Sequence, residues 1–389
     1  MKIVILAYWF SEKMGYAENY LPVAFGKLGH ETHLVTTDLQ IYATSPDYDK
    51  VYLQHLGPKQ VSKGVFKKEH YTLHRNGHYE NDGLGIDALE QKIAEIKPDV
   101  VYCFEIVGPD INLLVKIKEK YNFKLVSESR LHLSVFNVPK TLRQKFYIWR
   151  KSFHYKEIAQ KVDLFYPIAP DVLQVIQNYY RIPKRKCKLA SLAVDTDLFN
   201  DLNLNESEKQ KFRKQKGFNE TDIVCVYTGR FTHAKGPLIL AKAIDYLHSK
   251  GETAYKGFFV GQGDLQTQSE LTHHKGCSTH PFVNGNELPM FYKAFDIGVW
   301  PLQESTSQLD AAACGMPIII NSTVEDKFRI EGNGLAFEIN NYHDLADKIV
   351  SLKSAEVRKK LGSNGSQKIK KAYSWDFLAK TKIDDFKSL

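Results

Sequence analysis

Apolar and polar positions along this chain alternate between short buried runs and amphipathic stretches. Lys2-Ile3-Val4-Ile5-Leu6-Ala7 is a β-branched apolar run of the kind that forms a strand covered on both faces. Behind it, Ala17, Tyr20, Leu21, Ala24, Phe25 and Leu28 recur at helical spacing, and Gly29 supplies a stop. Pro22 puts the regular start of that helix close to itself, because proline is tolerated only near a helix start. Residues 32–37 read as the second strand. The alternation continues with a helix at 89–96, a strand at 99–104, a helix at 111–121 and a strand at 123–129. A helix at 141–159, a strand at 162–167 and a helix at 170–180 follow. Residues 40–80, rich in Tyr and His, show no clear period and read as loops and short strands without individual assignment. A charged connector, residues 200–219, separates this half from a second one with the same logic. There the strands are 223–227, 258–260, 296–301 and 318–320, with helices at 238–247 and 287–295 and a small-residue helix at 311–317. Strand and helix alternating in this way predict doubly wound α/β domains, and 389 residues suffice for about two of them. The expected division is 1–199, 200–365 and a C-terminal segment 366–389.

The stretch richest in chemistry opens the second half. Gly229-Arg230-Phe231-Thr232-His233-Ala234-Lys235-Gly236 joins a buried strand to a helix. In open α/β sheets, ligands bind in the crevice beyond the carboxyl ends of the strands. An Arg and a Lys placed there suit a diphosphate, one as a planar fork and the other as a point charge; a solvated loop is the alternative. Downstream, Gln303-Glu304-Ser305-Thr306-Ser307-Gln308-Leu309-Asp310 leads into the small-residue helix. Its start offers free N–H groups and a positive dipole end to phosphate or sugar hydroxyls. Asp310, in or near the first turn, either accepts two hydrogen bonds from a diol or only favours the dipole. Gly15, after the first strand, lets a backbone N–H approach a phosphate or merely makes a turn; the three-glycine dinucleotide fingerprint is absent. Gly261-Gln262-Gly263 is a common strand-end turn that specifies little. Asp195-Thr196-Asp197 invites a divalent metal, but nothing nearby adds ligands and a turn cap explains it equally, so no metal is expected.

Charge changes the picture in one place. The formal net charge is +8, yet residues 138–188 alone carry twelve basic against three acidic side chains, an excess larger than that of the whole chain. This segment contains the 141–159 helix, where Phe146, Tyr147, Trp149, Phe153 and Tyr155 interleave with Arg143, Lys145, Arg150, Lys151 and Lys156. Such a helix lies in an anionic membrane interface, or it buries its aromatic face in its own domain. Nucleic acid is not expected, since no binding module accompanies the charge. The cysteines Cys103, Cys187, Cys225, Cys277 and Cys314 form no close pair and no metal-ligand spacing, which fits a reducing compartment. No run approaches the roughly 18 apolar residues of a membrane helix. The apolar run from Ile3 to Phe10 lacks a cleavage pattern and reads as a strand, not a signal peptide. A cytoplasmic protein is expected, at most peripheral on the inner membrane face.

Together these residues resemble a nucleotide-sugar glycosyltransferase of the two-Rossmann (GT-B) type, retaining family 4, over nearly the whole chain. Gly15-Tyr16-Ala17-Glu18-Asn19 with Leu28-Gly29-His30 is similar to that family's opening. Val194-Asp195-Thr196-Asp197-Leu198-Phe199 resembles its Asn-Gly-Val-Asp-x-x-x-Phe linker, with Leu192 and Ala193 replacing Asn and Gly. Gly229-Arg230 with Lys235-Gly236 resembles its diphosphate loop. Asp310 to Pro317 resembles the Glu-Ala-Met-Ala-Cys-Gly-x-Pro block, and Tyr373-Ser374-Trp375 the opening of the last helix. The resemblance implies two Rossmann-like doubly wound domains facing a central cleft, with acceptor held by the first domain and donor mainly by the second. Residues 366–389 would cross back onto the first domain. The donor substrate is a nucleotide-diphosphate sugar, and no further cofactor is implied. Arg230, Lys235 and Glu304 would carry catalysis; Gly15, Gly229, Ser305, Ser307 and Asp310 would hold the donor. Glu128, Arg130 and His132 would face the acceptor or form a salt-bridged loop. One departure matters: the family's first glutamate falls here on Leu302, and Glu304 replaces it only if the intervening loop is two residues shorter. The implied reaction is metal-independent hexosyl transfer with retention, to a glycan or lipid-linked acceptor in bacterial surface polysaccharide assembly. A sugar-nucleotide epimerase of similar fold, or a non-catalytic partner that has lost the first Glu, are the competing readings.

Overall fold

The computed structural model describes residues 1–389 except Asp47, Asn81, Asp82, Ser134, Val135, Asn137, Ser191, Leu192, Asn203, Gln303, Glu304, Glu325 and Asp326. The side chains of Lys50, Val51, Lys151, Phe153 and His154 are also outside the description. Contacts divide the chain into two units, 1–192 with 378–389, and 193–377.

The first unit begins β1 (Lys2–Ala7), α1 (Ala17–Lys27), β2 (Glu31–Thr37), α2 (Leu53–Leu56), β3 (Gly64–Lys67) and β4 (Thr72–Asn76). A small hairpin, β5 (His78–Glu80) and β6 (Leu84–Ile86), precedes α3 (Leu89–Ile96), β7 (Val100–Phe104), α4 (Pro109–Tyr121) and β8 (Lys124–Ser129). Then come α5 (Leu142–Lys161), β9 (Leu164–Pro167) and α6 (Pro170–Tyr180). Seven strands form one sheet in the order β3-β4-β2-β1-β7-β8-β9, parallel apart from β3 against β4. Ile3, Val4 and Ile5 of β1 and Val100 and Val101 of β7 have no exposed surface, as β-branched residues do in a parallel sheet covered on both faces. Strand order runs outward from β1 through β2 on one side and from β7 on the other, so their carboxyl ends flank a switch point.

Two local expectations change. Helix α1 starts at Ala17, a full turn before Pro22. Asn19 fixes that start: its side chain accepts from the Tyr16 N–H at 3.2 Å and donates to the Ser11 carbonyl at 2.8 Å. The unassigned 40–80 region contains a π-helical turn at Tyr48–Tyr52 besides α2, β3 and β4. All four residues of β3 are exposed, so that edge strand carries no burial alternation to read.

The second unit comprises α7 (Glu206–Gln215), β10 (Ile223–Thr228), α8 (Pro237–Ser249), β11 (Tyr255–Val260), α9 (Leu265–His273) and β12 (Cys277–His280). It continues with α10 (Leu288–Ala294), β13 (Ile297–Trp300), α11 (Thr306–Ala313), β14 (Ile318–Asn321), β15 (Gly334–Phe337), α12 (Tyr342–Ser351) and α13 (Ala355–Ala372). Its six strands are all parallel in the order β12-β11-β10-β13-β14-β15, with a switch point between β10 and β13. Contacts thus divide the chain at 192/193, where the sequence suggested 199/200. Val194 explains the difference: it pairs with Ser374 as an isolated bridge, its N–H donating to Tyr373 O at 2.7 Å. Residues 366–377 also belong here, because α13 buries Ser366 and Ile369 in this unit. Only from Leu378, within α14 (Trp375–Ser388), does the chain join the first unit.

Candidate active site

Within the second unit, the loop after β10 and the loop after β13 flank the switch point. Trp300, at the end of β13, donates from its buried indole N–H to Thr228 O at 3.0 Å and ties the two strand ends together. Gly229 leaves β10 at φ 150°, and the chain turns through Phe231 and a short 3-10 segment, His233–Lys235, to Gly236 at φ 67°. The loop lies backbone to backbone on the Gly261-Gln262-Gly263 turn. Phe231 N donates to Gln262 O at 3.1 Å, and Asp264 N returns a bond to Phe231 O at 3.0 Å. A Cβ on Gly261 would come within 2.0 Å of Gly229 O, and one on Gly263 within 2.3 Å of Phe231 O. The second turn, unremarkable as a motif, is therefore the seat of the first.

Arg230 is exposed and Lys235 half-buried. Burial, and next the neighbouring Arg230 charge, hold the Lys235 ammonium below its ordinary pKa. Two like charges are thus held close enough to oppose each other, an arrangement that an anionic ligand relieves.

Ser305 caps α11, its Oγ accepting from Ser307 N at 3.3 Å. The helix starts at Thr306, five residues before its expected start, so Asp310 is its fifth residue and not in its first turn. Gly315, at φ 77°, follows its C-terminal end. Arg329, buried, holds this helix start through Ser305 O at 3.4 Å and Gln308 Oε1 at 3.2 Å. The Tyr292 hydroxyl, fully buried, joins the two halves of the site: it bonds Thr228 Oγ1 at 2.8 Å and the Ser307 side chain, and it feels the Asp310 charge.

Leu302 stands where the resemblance expected a glutamate, and its side chain packs on the diphosphate-type loop: a Cβ on Gly236 would meet Leu302 Cγ at 2.6 Å. Its carbonyl accepts from Asn321 Nδ2 at 2.5 Å. Glu304 lies outside the described residues. Gly229, Arg230, Lys235, Ser305, Ser307 and Asp310 all sit on this one unit around β10, β13 and α11, whereas Gly15 is an exposed loop residue of the first unit. Asp195 caps its own turn, accepting from Asp197 N at 3.0 Å and Leu198 N at 3.2 Å. No group of three or more metal-type ligands occurs among the described residues.

Residues 208–368, which hold these elements, match the family model of glycosyl transferases group 1. The second unit belongs to that family. An uncharacterised glycosyltransferase of Methanocaldococcus jannaschii is 25% identical over 233 residues, 57% of this chain and 58% of its own length. A D-inositol 3-phosphate glycosyltransferase of Xylanimonas cellulosilytica is 23% identical over 206 residues, 49% and 48% of the two lengths. The matches thus span about half the length of these relatives. Among solved structures, a sucrose-phosphate synthase of Thermosynechococcus elongatus is similar over 100% of this chain and 98% of its own, with TM-score 0.70 at 15% identity. Anabaena HepE, in complex with UDP, is similar over 100% of both chains with TM-score 0.68 at 14% identity. The fold is therefore GT-B over the whole chain.

In this unit, sequence reasoning missed Tyr292 and Arg329, and it read Asp195 only as a turn cap or metal candidate, not as a neighbour of Asp310. Tyr292 and Arg329 are single residues distant in sequence from the loops they serve, so no local spacing marks them. Asp195 matters because its charge, after burial, is the second cause that pushes the Asp310 carboxyl up to about 8. A carboxyl whose folded pKa is raised contributes stability that is complete below the ordinary carboxylate range and lost as pH rises through about 8. The ligand-free protein should therefore lose melting temperature between pH 6 and pH 9. Asp310→Asn should flatten that slope and melt higher than the wild type at pH 9. A variant with the wild-type slope would rule Asp310 out as its source.

Proposed function

We propose that this chain is a retaining, metal-independent glycosyltransferase that moves a hexosyl unit from a nucleotide-diphosphate sugar to a glycan or lipid-linked acceptor. The observation that carries the reading is the Arg230–Lys235 pair on a glycine-bounded loop at the β10/β13 switch point. In this role both cations neutralise charge growing on the departing diphosphate, Asp310 accepts from the ribose diol, and Ser305 and Ser307 approach the donor at the start of α11. HepE is described with UDP and with UDP-glucose, which favours a uridine donor. A thermal-shift series over UDP-, GDP- and ADP-sugars tests this: a bound donor raises the melting temperature, and no shift with any of them counts against the donor site. Product analysis then separates transfer to an acceptor from epimerisation of the donor and from no turnover.

A role in surface polysaccharide assembly, with the acceptor at a membrane, is supported by α5. Residues 141–150 are exposed apart from Ile148. Leu142, Phe146 and Trp149 share one helical face, at 85%, 61% and 48% exposure, and Lys145 and Arg150 flank that face on either side, as in interfacial helices. No helix among the described residues is long and apolar enough to cross a membrane, so attachment through α5 would be peripheral. Flotation with vesicles containing anionic lipid should carry the protein upward at low salt and release it at high salt. Binding indifferent to both lipid charge and salt would count against the basic helix as the attachment, and no flotation with any lipid would remove the membrane from the proposal.

A further inference from the structure

The first unit holds a cavity of about 240 Å³ lined by Ser11, Glu12, Lys13, Gln40, Ser62 and Arg75, among others. Ser11 to Lys13 lie in the loop after β1, Gln40 lies just after β2, and Arg75 is the fourth residue of β4. The cavity thus sits toward the carboxyl ends of three neighbouring strands, the side on which α/β sheets bind ligands. Its volume is below the roughly 300 Å³ at which sites enclosing a whole drug-sized molecule begin, so it suits one small polar group with its immediate substituents.

Arg75 is the unusual member. It is only 7% exposed. One Nη donates to Phe10 O at 3.3 Å, and the guanidinium carbon lies 5.4 Å from the centre of the Phe10 ring. Among the described residues no carboxylate pairs with it. The nearby acids are committed elsewhere: Glu12 pairs with Lys68. Asp38 accepts from Gln60 at 2.6 Å, pairs with His78 at 2.6 Å and has Lys63 at 3.9 Å. A guanidinium carries five donors and stays charged in proteins, and a buried charge without a counter-ion is costly. Lys13 adds a second cation at the exposed lip. Gln40, also 7% exposed, donates through Nε2 to Leu56 O at 3.1 Å, while its Oε1 has no partner among the described residues. Gln40 Oε1 is itself covered by protein, so what the cavity wall offers is a buried cation with no carboxylate in ion-pair contact among the described residues.

We propose that this cavity binds the phosphate or carboxylate of a small molecule, with Arg75 and Lys13 on the oxyanion. Resting on the transferase reading, that molecule is the sugar acceptor, because the residues assigned to the donor's diphosphate and ribose all belong to the other unit.

Isothermal titration calorimetry on the full chain, with glucose 6-phosphate, glucuronate, inorganic phosphate and glucose as probes, tests the site. The expected result is binding of glucose 6-phosphate or glucuronate, which separates phosphate from carboxylate, with glucose weaker by about tenfold or more. Arg75→Gln should abolish that preference and leave UDP affinity unchanged. If that variant does not fold, Lys13→Ala at the exposed lip should still reduce the preference and its salt dependence. Glucose binding as tightly as its phosphate, or no binding by any probe, overturns the site. Inorganic phosphate binding as tightly as glucose 6-phosphate overturns the acceptor assignment and leaves a bare anion site. Sugar transfer to neutral acceptors without any anion preference overturns the acceptor assignment while the transferase reading stands. Arg75-dependent binding in a protein that turns over no donor overturns the transferase reading and leaves the anion site in place.

Discussion

Arg230→Ala is expected to lower donor turnover by about 10²- to 10³-fold, the range seen when one preorganised charge-stabilising group is removed from an active site. Arg230 is exposed at the end of β10 and takes part in no described ion pair, so folding should be unaffected; a circular dichroism melt within about a degree of wild type would confirm this. Its partner Lys235 is pushed below its ordinary pKa by burial first and by Arg230 second. A bound diphosphate reverses both disadvantages, because it neutralises the pair and reduces the field each cation exerts on the other. Charge on the leaving group is greatest in the transition state, so the loss should fall mainly on kcat and less on KM. Lys235→Ala should act in the same direction, and the double variant should lose less than the product of the two single losses, because each charge loses part of its work when the other is gone. Unchanged kcat and KM in Arg230→Ala would sink the assignment of this loop, whatever the fold.

Most of the fold was legible because the central parallel strands are buried, whereas β12 and β15, only partly buried at the edges of their sheet, left no such run to read. Runs such as Ile223-Val224-Cys225-Val226-Tyr227 and Ile318-Ile319-Ile320 carry their own signal, and α3 and α6 were read to their ends. The legible part of the candidate site is the part built from local sequence: the Gly229–Gly236 loop and the helix that ends in Cys314-Gly315. What stayed hidden depends on tertiary approach. The Gly261–Gly263 turn is needed because two backbones touch there, and spacing along the chain does not encode that contact. The Tyr292 hydroxyl reaches Thr228 across 64 residues. The start of α11 was misplaced for a related reason: Ser305 and Ser307 read as ligand-binding polar residues, whereas Ser305 is first of all the helix cap. Arg75 went unremarked in the 40–80 region, since neither its exposed neighbour strand nor its loops have a period.

Glu128→Ala is expected to destabilise the first unit by about 3–5 kcal/mol, the cost of stripping one partner from a buried ion pair. Glu128 and Lys382 are 4% and 0% exposed. Lys382 comes from residues 378–389 of the C-terminal helix. Its Nζ lies 3.6 Å from Glu128, 2.9 Å from the Tyr102 hydroxyl and 3.5 Å from the centre of the Tyr166 ring. Tyr102 also donates to Glu128, and Arg130 binds Glu128 at 3.1 Å and Glu18 at 3.0 Å. Burial alone would raise the Glu128 carboxyl; Lys382 and Arg130 outweigh it and hold the group below the ordinary range. That contribution is present above the ordinary carboxylate pKa and lost as pH falls through the depressed value, so the wild type should lose more stability in acid than the variant does. Lys382 is lowered to about 8 by burial against the pull of Glu128, and without that carboxylate it loses its main reason to stay charged. Glu128→Ala with Lys382→Met should therefore recover much of the lost stability, as apolar replacement of a whole buried pair often does. Urea unfolding and hydrogen exchange over residues 378–389 measure both effects. The same experiment decides how the strand-end cluster works: a group that anchors the last helix loses stability when changed to Gln, whereas a group that contacts acceptor keeps its stability and raises the acceptor KM. With Lys382, Tyr102 and Arg130 already around the Glu128 carboxylate, and His132 bonded to Asp171 at 3.1 Å, the geometry favours the anchor, and Glu128→Gln with wild-type stability would reverse that conclusion.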